Sequence, residues 1–368
     1  MEAGFLPRAG FQALLDVLQQ SGYRCVGPRP RDGAIVCDTL MRAEELPRGV
    51  HDRQAPGRYR LENDASPRFF AWSNGPQALK PLFFAPVEPI WHSERAADGA
   101  LRFTEIEPPA ERLAVIGVRA CDLAALRLQD RHFLDGRYAD SRYAARRANV
   151  FLIAVHCTHP ADTCFCVSTG DGPRATEGFD LALSELDDGF LVQAGSDAGR
   201  ALAARLALAP VTASQQRAAD DEIDAAARQQ TRRLPSRNLR DVLFANLDHP
   251  RWENVAERCL SCGNCTAVCP TCFCHGDADE AALDGVDSRH VRRWDSCFTP
   301  GHSYIHGITI RAETRTRYRQ WLTHKLGSWH DQYGRSGCVG CGRCISWCPV
   351  GIDITEEAAA IGCGDAHD

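Results

Sequence analysis

Apolar positions change their pattern partway along the chain. In the first half, short apolar runs alternate with helical patterns. Near the start, Leu14, Leu15, Val17 and Leu18 share one side of a short amphipathic helix, interrupted by Asp16. Ala34-Ile35-Val36 reads as a short buried strand, and Leu113 to Val118 (LAVIGV) as a stronger one that leads into a helical run from Leu123 to Phe133. Val150 to Val155 (VFLIAV) is a further strand candidate, and Phe190 to Gln193 a weaker one. Alternation of this kind predicts an α/β domain whose sheet is at least partly parallel. From Ala198 to about Arg233 the chain turns rich in Ala, Gln, Asp and Arg, a helical connector broken near Pro210. The expected domains are therefore 1–235 and 236–368. In the second, Leu239 to Leu247 and Pro250 to Glu257 read as helices, so a mainly α-helical C-terminal domain is expected.

Composition narrows the class. The chain has 368 residues, 44% of them apolar and 24% charged, as expected of a globular protein of two domains. Its net charge of -6, with no long basic run, argues against nucleic acid or an anionic membrane as partner. No apolar stretch approaches the ~18 residues of a membrane span. The N-terminus lacks the basic region, apolar core and cleavage site of a secretory signal, so a cytoplasmic location is expected. In that reducing compartment the 18 cysteines point to metal or redox chemistry rather than disulfides. Lys80 and Lys325 are the only lysines among 42 basic residues, which reads as the composition of a GC-rich genome.

The cysteines supply the chemistry. Cys259-x2-Cys262-x2-Cys265-x3-Cys269-Pro270 is matched by Cys338-x2-Cys341-x2-Cys344-x3-Cys348-Pro349. This spacing is that of a two-cluster bacterial ferredoxin, in which the fourth cysteine of each run ligates the other cluster. Three thiolates in one tight turn can embrace three irons of a cubane, and Gly263, Gly340 and Gly342 let the backbone approach the sulfides. The crossed assignment gives one 4Fe–4S cluster to Cys259, Cys262, Cys265 and Cys348. The other goes to Cys338, Cys341, Cys344 and Cys269. A four-cysteine zinc site is the alternative, but such sites usually pair two Cys-x2-Cys knuckles.

About 68 residues separate the two runs. This insert opens with Cys272-Phe273-Cys274 and contains Trp294-Asp295-Ser296-Cys297. These three thiols are candidate ligands of an additional cluster, which would need His275 or another cysteine as a fourth; packing is the alternative. Arginines between Arg311 and Lys325 form either a solvated helix face or a counter-charge for clusters. Thr-Cys-Phe-Cys, at 271–274, also occurs at 163–166. There Cys164 and Cys166 join Cys121 and Cys157, which both follow predicted strands. If those strands are parallel neighbours, the four thiols meet at one sheet edge, the usual ligand side of open α/β sheets, and can hold a third 4Fe–4S cluster. Otherwise they are small buried apolar residues. Cys25, Cys37 and Cys363 fit no pattern. The Ser168 to Pro173 stretch lacks the context of a phosphate-binding loop and reads as a turn. No nucleophile arrangement stands out.

Gly117 to Asp122, Cys157 to Cys166, Gly172-Pro173, Cys259 to Cys274, Trp294 to Cys297 and Gly337 to Ile354 together resemble a known family. It is the beta subunit of cytoplasmic sulfhydrogenase, the NAD(P)-linked nickel–iron hydrogenase; the A-type component of anaerobic sulfite reductase is similar. Ala120 departs from the proline expected there in many relatives. The resemblance implies an electron-transfer subunit without an active site of its own. Its partners would be a flavin- and NAD(P)-binding gamma-type subunit together with the small and large hydrogenase subunits, or a sirohaem subunit in the sulfite reductase case. Two further readings remain open. One is an enzyme whose α/β domain binds flavin and reduces its own substrate. The other is a zinc-stabilised interaction protein.

Overall fold

The computed structural model describes residues 3–362 apart from 78, 110, 237, 284 and 285, so Cys363 lies outside the described residues. Among those residues, eight strands form one mixed sheet. Arg24–Arg31, Leu113–Val118, Val150–Val155 and Leu181–Glu185 run parallel at its centre. Ala34–Thr39 extends one edge antiparallel, and Gly189–Ala194, Gly4–Pro7 and Ala209–Pro210 extend the other. Of the central strands, Leu113–Val118 and Val150–Val155 are continuous apolar runs because both faces are covered. On one face Ile116, Ile153 and Leu183 pack with Phe11, Leu14 and Leu18 of the helix Phe11–Gln20. On the other, Val115, Leu152 and Ala182 pack with Leu123, Leu126 and Phe133 of the helix Ala120–Leu134.

The end of the Leu113–Val118 strand departs from regularity. Gly117 has φ +87°, and the register with Val150–Val155 shifts between Ile116 and Val118. A Cβ there would come within 3.2 Å of the Phe70 ring and Pro28. The bulge turns the chain so that Arg119 and Cys121 leave the sheet at its carboxyl edge.

The second part is not the mainly helical domain expected. Helices Leu239–Ala245, Arg251–Arg258, Thr314–Thr323 and Ile354–Gly362 do share one core around Trp252, Tyr318, Trp321 and Leu322. The insert between the cysteine runs, however, is a β-hairpin, His275–Ala281 paired antiparallel with Asp287–Trp294. Its second strand pairs with Val87–Arg95 from the first half, which in turn pairs with Leu101–Glu105. Hydropathy hides this sheet because it is held by polar groups. Glu88, 1% exposed, receives hydrogen bonds from Arg142 and Arg146 of the helix Ser141–Ala148 and from Arg292 of the hairpin.

Candidate iron–sulfur centres

The two C-terminal runs fold as interlocked turns. Cys259, Cys262, Cys265 and Cys348 line one hollow, walled by Phe298, Tyr318, Trp321 and Ile352. The set joins three thiols of the first run to the last of the second. Backbone amides face the sulfurs: Ser261 N–H lies 3.5 Å from Cys259 Sγ, and Ile352 N–H 3.3 Å from Cys348 Sγ. In the second run Gly340 N–H lies 3.5 Å from Cys338 Sγ. Cys338, Cys341, Cys344 and Cys269 act on one another electrostatically, and burial pushes Cys344 well above the ordinary thiol range. Burial likewise raises Cys265. Dry, crowded thiols of this kind are poor anions alone but suit an iron cluster, whose positive iron offsets the desolvation of its thiolates.

Glycine makes the close approach possible. Gly340 has φ +63°, and a Cβ on it would lie 2.5 Å from the Phe165 carbonyl carbon. Phe165 N–H donates to Gly340 O at 2.8 Å, so the Cys164–Cys166 turn rests directly on the second cysteine run. Arg343 adds a buried staple, with Nη1 2.7 Å and Nη2 3.0 Å from the two Asp122 carboxylate oxygens, and Nη2 3.1 Å from Asn74 Oδ1.

Beside that staple the fold gathers the four cysteines of the first half. Cys121, Cys157, Cys164 and Cys166 line one small hollow with Ser73, Asn74, Arg119 and Gln230. The parallel strands Leu113–Val118 and Val150–Val155 are neighbours, and both deliver a cysteine to this edge. The hollow is lined with donors. Ser73 Oγ lies 3.2 Å from Cys164 Sγ, Gln230 Nε2 donates to Cys166 Sγ at 3.3 Å, and Asn74 Nδ2 to Cys121 Sγ at 3.7 Å. Arg119, 2% exposed, uses one nitrogen on the carbonyls of Phe70 and Trp72, while its Nε and Nη1 are buried without hydrogen-bond partners. Unpaired buried donors on a cation beside four thiols fit an anionic guest, as a cluster ligated by four thiolates is.

Cys341 lines this hollow as well. Cys344 lines the hollow of Cys259, Cys262, Cys265 and Cys348. The set made by Cys338, Cys341, Cys344 and Cys269 thus shares a wall with each of the others. Cys262 is the exposed cysteine among those described. Cys272, Cys274 and Cys297 line neither of these two hollows. Cys272 is hydrogen-bonded to Cys269, and Cys274 to His302, which also meets Asp295 at 2.7 Å. His275 is exposed, with Nδ1 3.1 Å from Phe273 O. Among the described residues no three His, Cys, Asp or Glu side chains gather tightly enough for a single metal ion.

Residues 258–352 and 224–273 match two family models, each described as a 4Fe-4S dicluster domain. The chain is 34% identical over 245 residues to sulfhydrogenase 2 subunit beta of Pyrococcus furiosus, spanning 66% of this chain and 72% of that one. The chain belongs to the sulfhydrogenase beta-subunit family. It is an iron–sulfur electron-transfer protein of ferredoxin type. No solved structure matches it. Among the described residues of this family member, no helix is long and apolar enough to cross a membrane.

Sequence reasoning missed the polar groups around the thiols. Arg119 and Asp122 lie inside the Gly117 to Asp122 motif, which flagged them by position but not by role. Ser73, Asn74 and Gln230 sit in segments without any pattern. The two lysines carried a signal in their rarity, since both are buried within electrostatic reach of cysteines.

Proposed function

We propose that this beta-family chain relays single electrons through three 4Fe–4S clusters set in line. Cys259, Cys262, Cys265 and Cys348 hold the first, Cys338, Cys341, Cys344 and Cys269 the second, and Cys121, Cys157, Cys164 and Cys166 the third. The observation that carries the reading is the shared wall: Cys341 lines the third hollow and Cys344 the first, so the middle set touches both neighbours. Each bound cluster supplies reversible one-electron chemistry. The protein's part is to fix spacing, exclude water and tune each site. Arg119 faces the third set with an unpaired positive charge, whereas the first set reaches the surface at Cys262. Cys272, Cys274 and Cys297 are candidates for a further site, which His302 beside Cys274 would complete.

The partners we infer are a flavin- and NAD(P)-binding subunit on one side and a nickel–iron hydrogenase on the other, in the cytoplasm. The relative's name, a subunit of sulfhydrogenase 2, supports an assembly of this kind. Iron and acid-labile sulfide in the anaerobically purified chain should reach at least about twelve irons. Replacing Cys164 and Cys166 by Ser should remove about four of them and leave the ferredoxin-type signals in the EPR spectrum. Unchanged iron in that variant would remove the third site.

A further inference from the structure

Of the 42 basic side chains, the two lysines, Lys80 and Lys325, are each 4% exposed. Among the described residues neither is ion-paired with a carboxylate. Lys80 Nζ donates to Thr266 O at 3.2 Å and lies 3.6 Å from the Trp294 ring centre. Lys325 Nζ donates to Thr271 Oγ1 at 2.9 Å, and that hydroxyl lies 3.2 Å from Cys269 Sγ. The same hydroxyl donates to Gly337 O at 2.7 Å, next to Cys338. A bare ammonium is costly to bury, so its counter-charge must be close by. Burial opposes the charge on Lys325, and the groups that favour it are sulfurs, those of Cys269, Cys272 and Cys338.

The local backbone is built for this placement. Lys325 sits in a single π-helical turn, His324–Ser328, a widened turn that often marks functional positions. Its carbonyl accepts from Gly337 N–H at 2.8 Å, which ties the turn to the start of the second cysteine run. A lysine suits the space better than arginine. Its charge is compact and offers three rotatable donors, whereas a guanidinium is a flat fork made for carboxylates.

We infer that Lys325 is a fixed counter-ion that raises the reduction potential of the cluster held by Cys269 and Cys338. The inference rests on the relay reading above. Reduction adds one electron and one negative charge to that cluster, with no bond made or broken and no proton moved on Lys325. A positive charge beside it favours the reduced form, so the middle site holds the electron in transit. The reductant is whichever low-potential partner feeds the chain.

The test is an EPR-monitored redox titration of the full-length, anaerobically purified protein, with Lys325→Met and Lys325→Gln as variants. Glutamine keeps a donor for Thr271 but carries no charge. Both variants should retain their iron and lower one midpoint by at least 59 mV, a tenfold change in a one-electron equilibrium, with the other midpoints unmoved. Unchanged midpoints would overturn the inference. So would a glutamine variant that keeps the parent potential, since hydrogen bonding would then suffice. Loss of about four irons from both variants would make Lys325 an assembly residue instead. If the methionine variant does not fold, the glutamine variant decides alone. Should Cys269→Ser leave iron content unchanged, the relay reading would fail, and Lys325 would have no cluster to tune.

Discussion

Single atoms decide how closely the cysteine turns can pack. A methyl group on Gly340 would meet the Phe165 carbonyl at 2.5 Å, in a backbone conformation that L-residues avoid. Gly340→Ala should therefore cost about 2 kcal/mol or more, read as a lower midpoint of thermal unfolding. Because Phe165 lies between Cys164 and Cys166, the same variant should also lower iron at the third site. Arg343 and Asp122 form the other critical contact, both almost fully buried. Arg343→Met leaves the Asp122 carboxylate without its partner and should cost about 3–5 kcal/mol in denaturant titrations, with Asp122→Asn restoring part of the loss. Neither effect was legible in the sequence. The spacing of the cysteines singled out the candidate ligands, but it says nothing of which distant backbone a glycine must admit. Lys80 and Lys325 passed for compositional accident because burial is a property of the fold.

At the scale of elements, the four-stranded sheet is secured by charge. Burial acts to raise the Glu88 carboxyl, but hydrogen bonds from Arg146, Arg142 and Arg292 outweigh it and hold the group below its ordinary value of 4.5. A carboxyl depressed on folding contributes stability that is fully present above its unfolded value and is lost as pH falls through the folded one. Glu88→Gln should thus be less stable than the parent at neutral pH. The difference should shrink as pH falls below 4.5 and through the depressed folded value, as urea midpoints across pH would show. The long apolar strands of the main sheet and the helices Phe11–Gln20 and Ala120–Leu134 were readable from periodicity, because their stability comes from the very residues that set the pattern. The hairpin of the insert was not. Every residue of His275–Ala281 is exposed, so no hydropathy signal accompanies it.

Over the whole molecule, the third cysteine set could be anticipated because two strand-end thiols had to meet if the strands were parallel. That it also abuts the second set could not, since this depends on Arg343, Gly340 and Thr163 joining segments far apart in the chain, 183 residues for Thr163–Ser346 and 221 for Arg343–Asp122. The interleaved sheet carries a consequence for how the protein is made. Val87–Arg95 gains its second neighbour only when Asp287–Trp294 has emerged, about 190 residues later. At about 5–20 residues per second, that edge stays bare for roughly 10–40 s on the ribosome. A bare strand edge is a template for wrong pairing. The nascent chain therefore needs shelter before it needs iron, and a truncation ending ahead of residue 275 should aggregate rather than yield a free N-terminal domain.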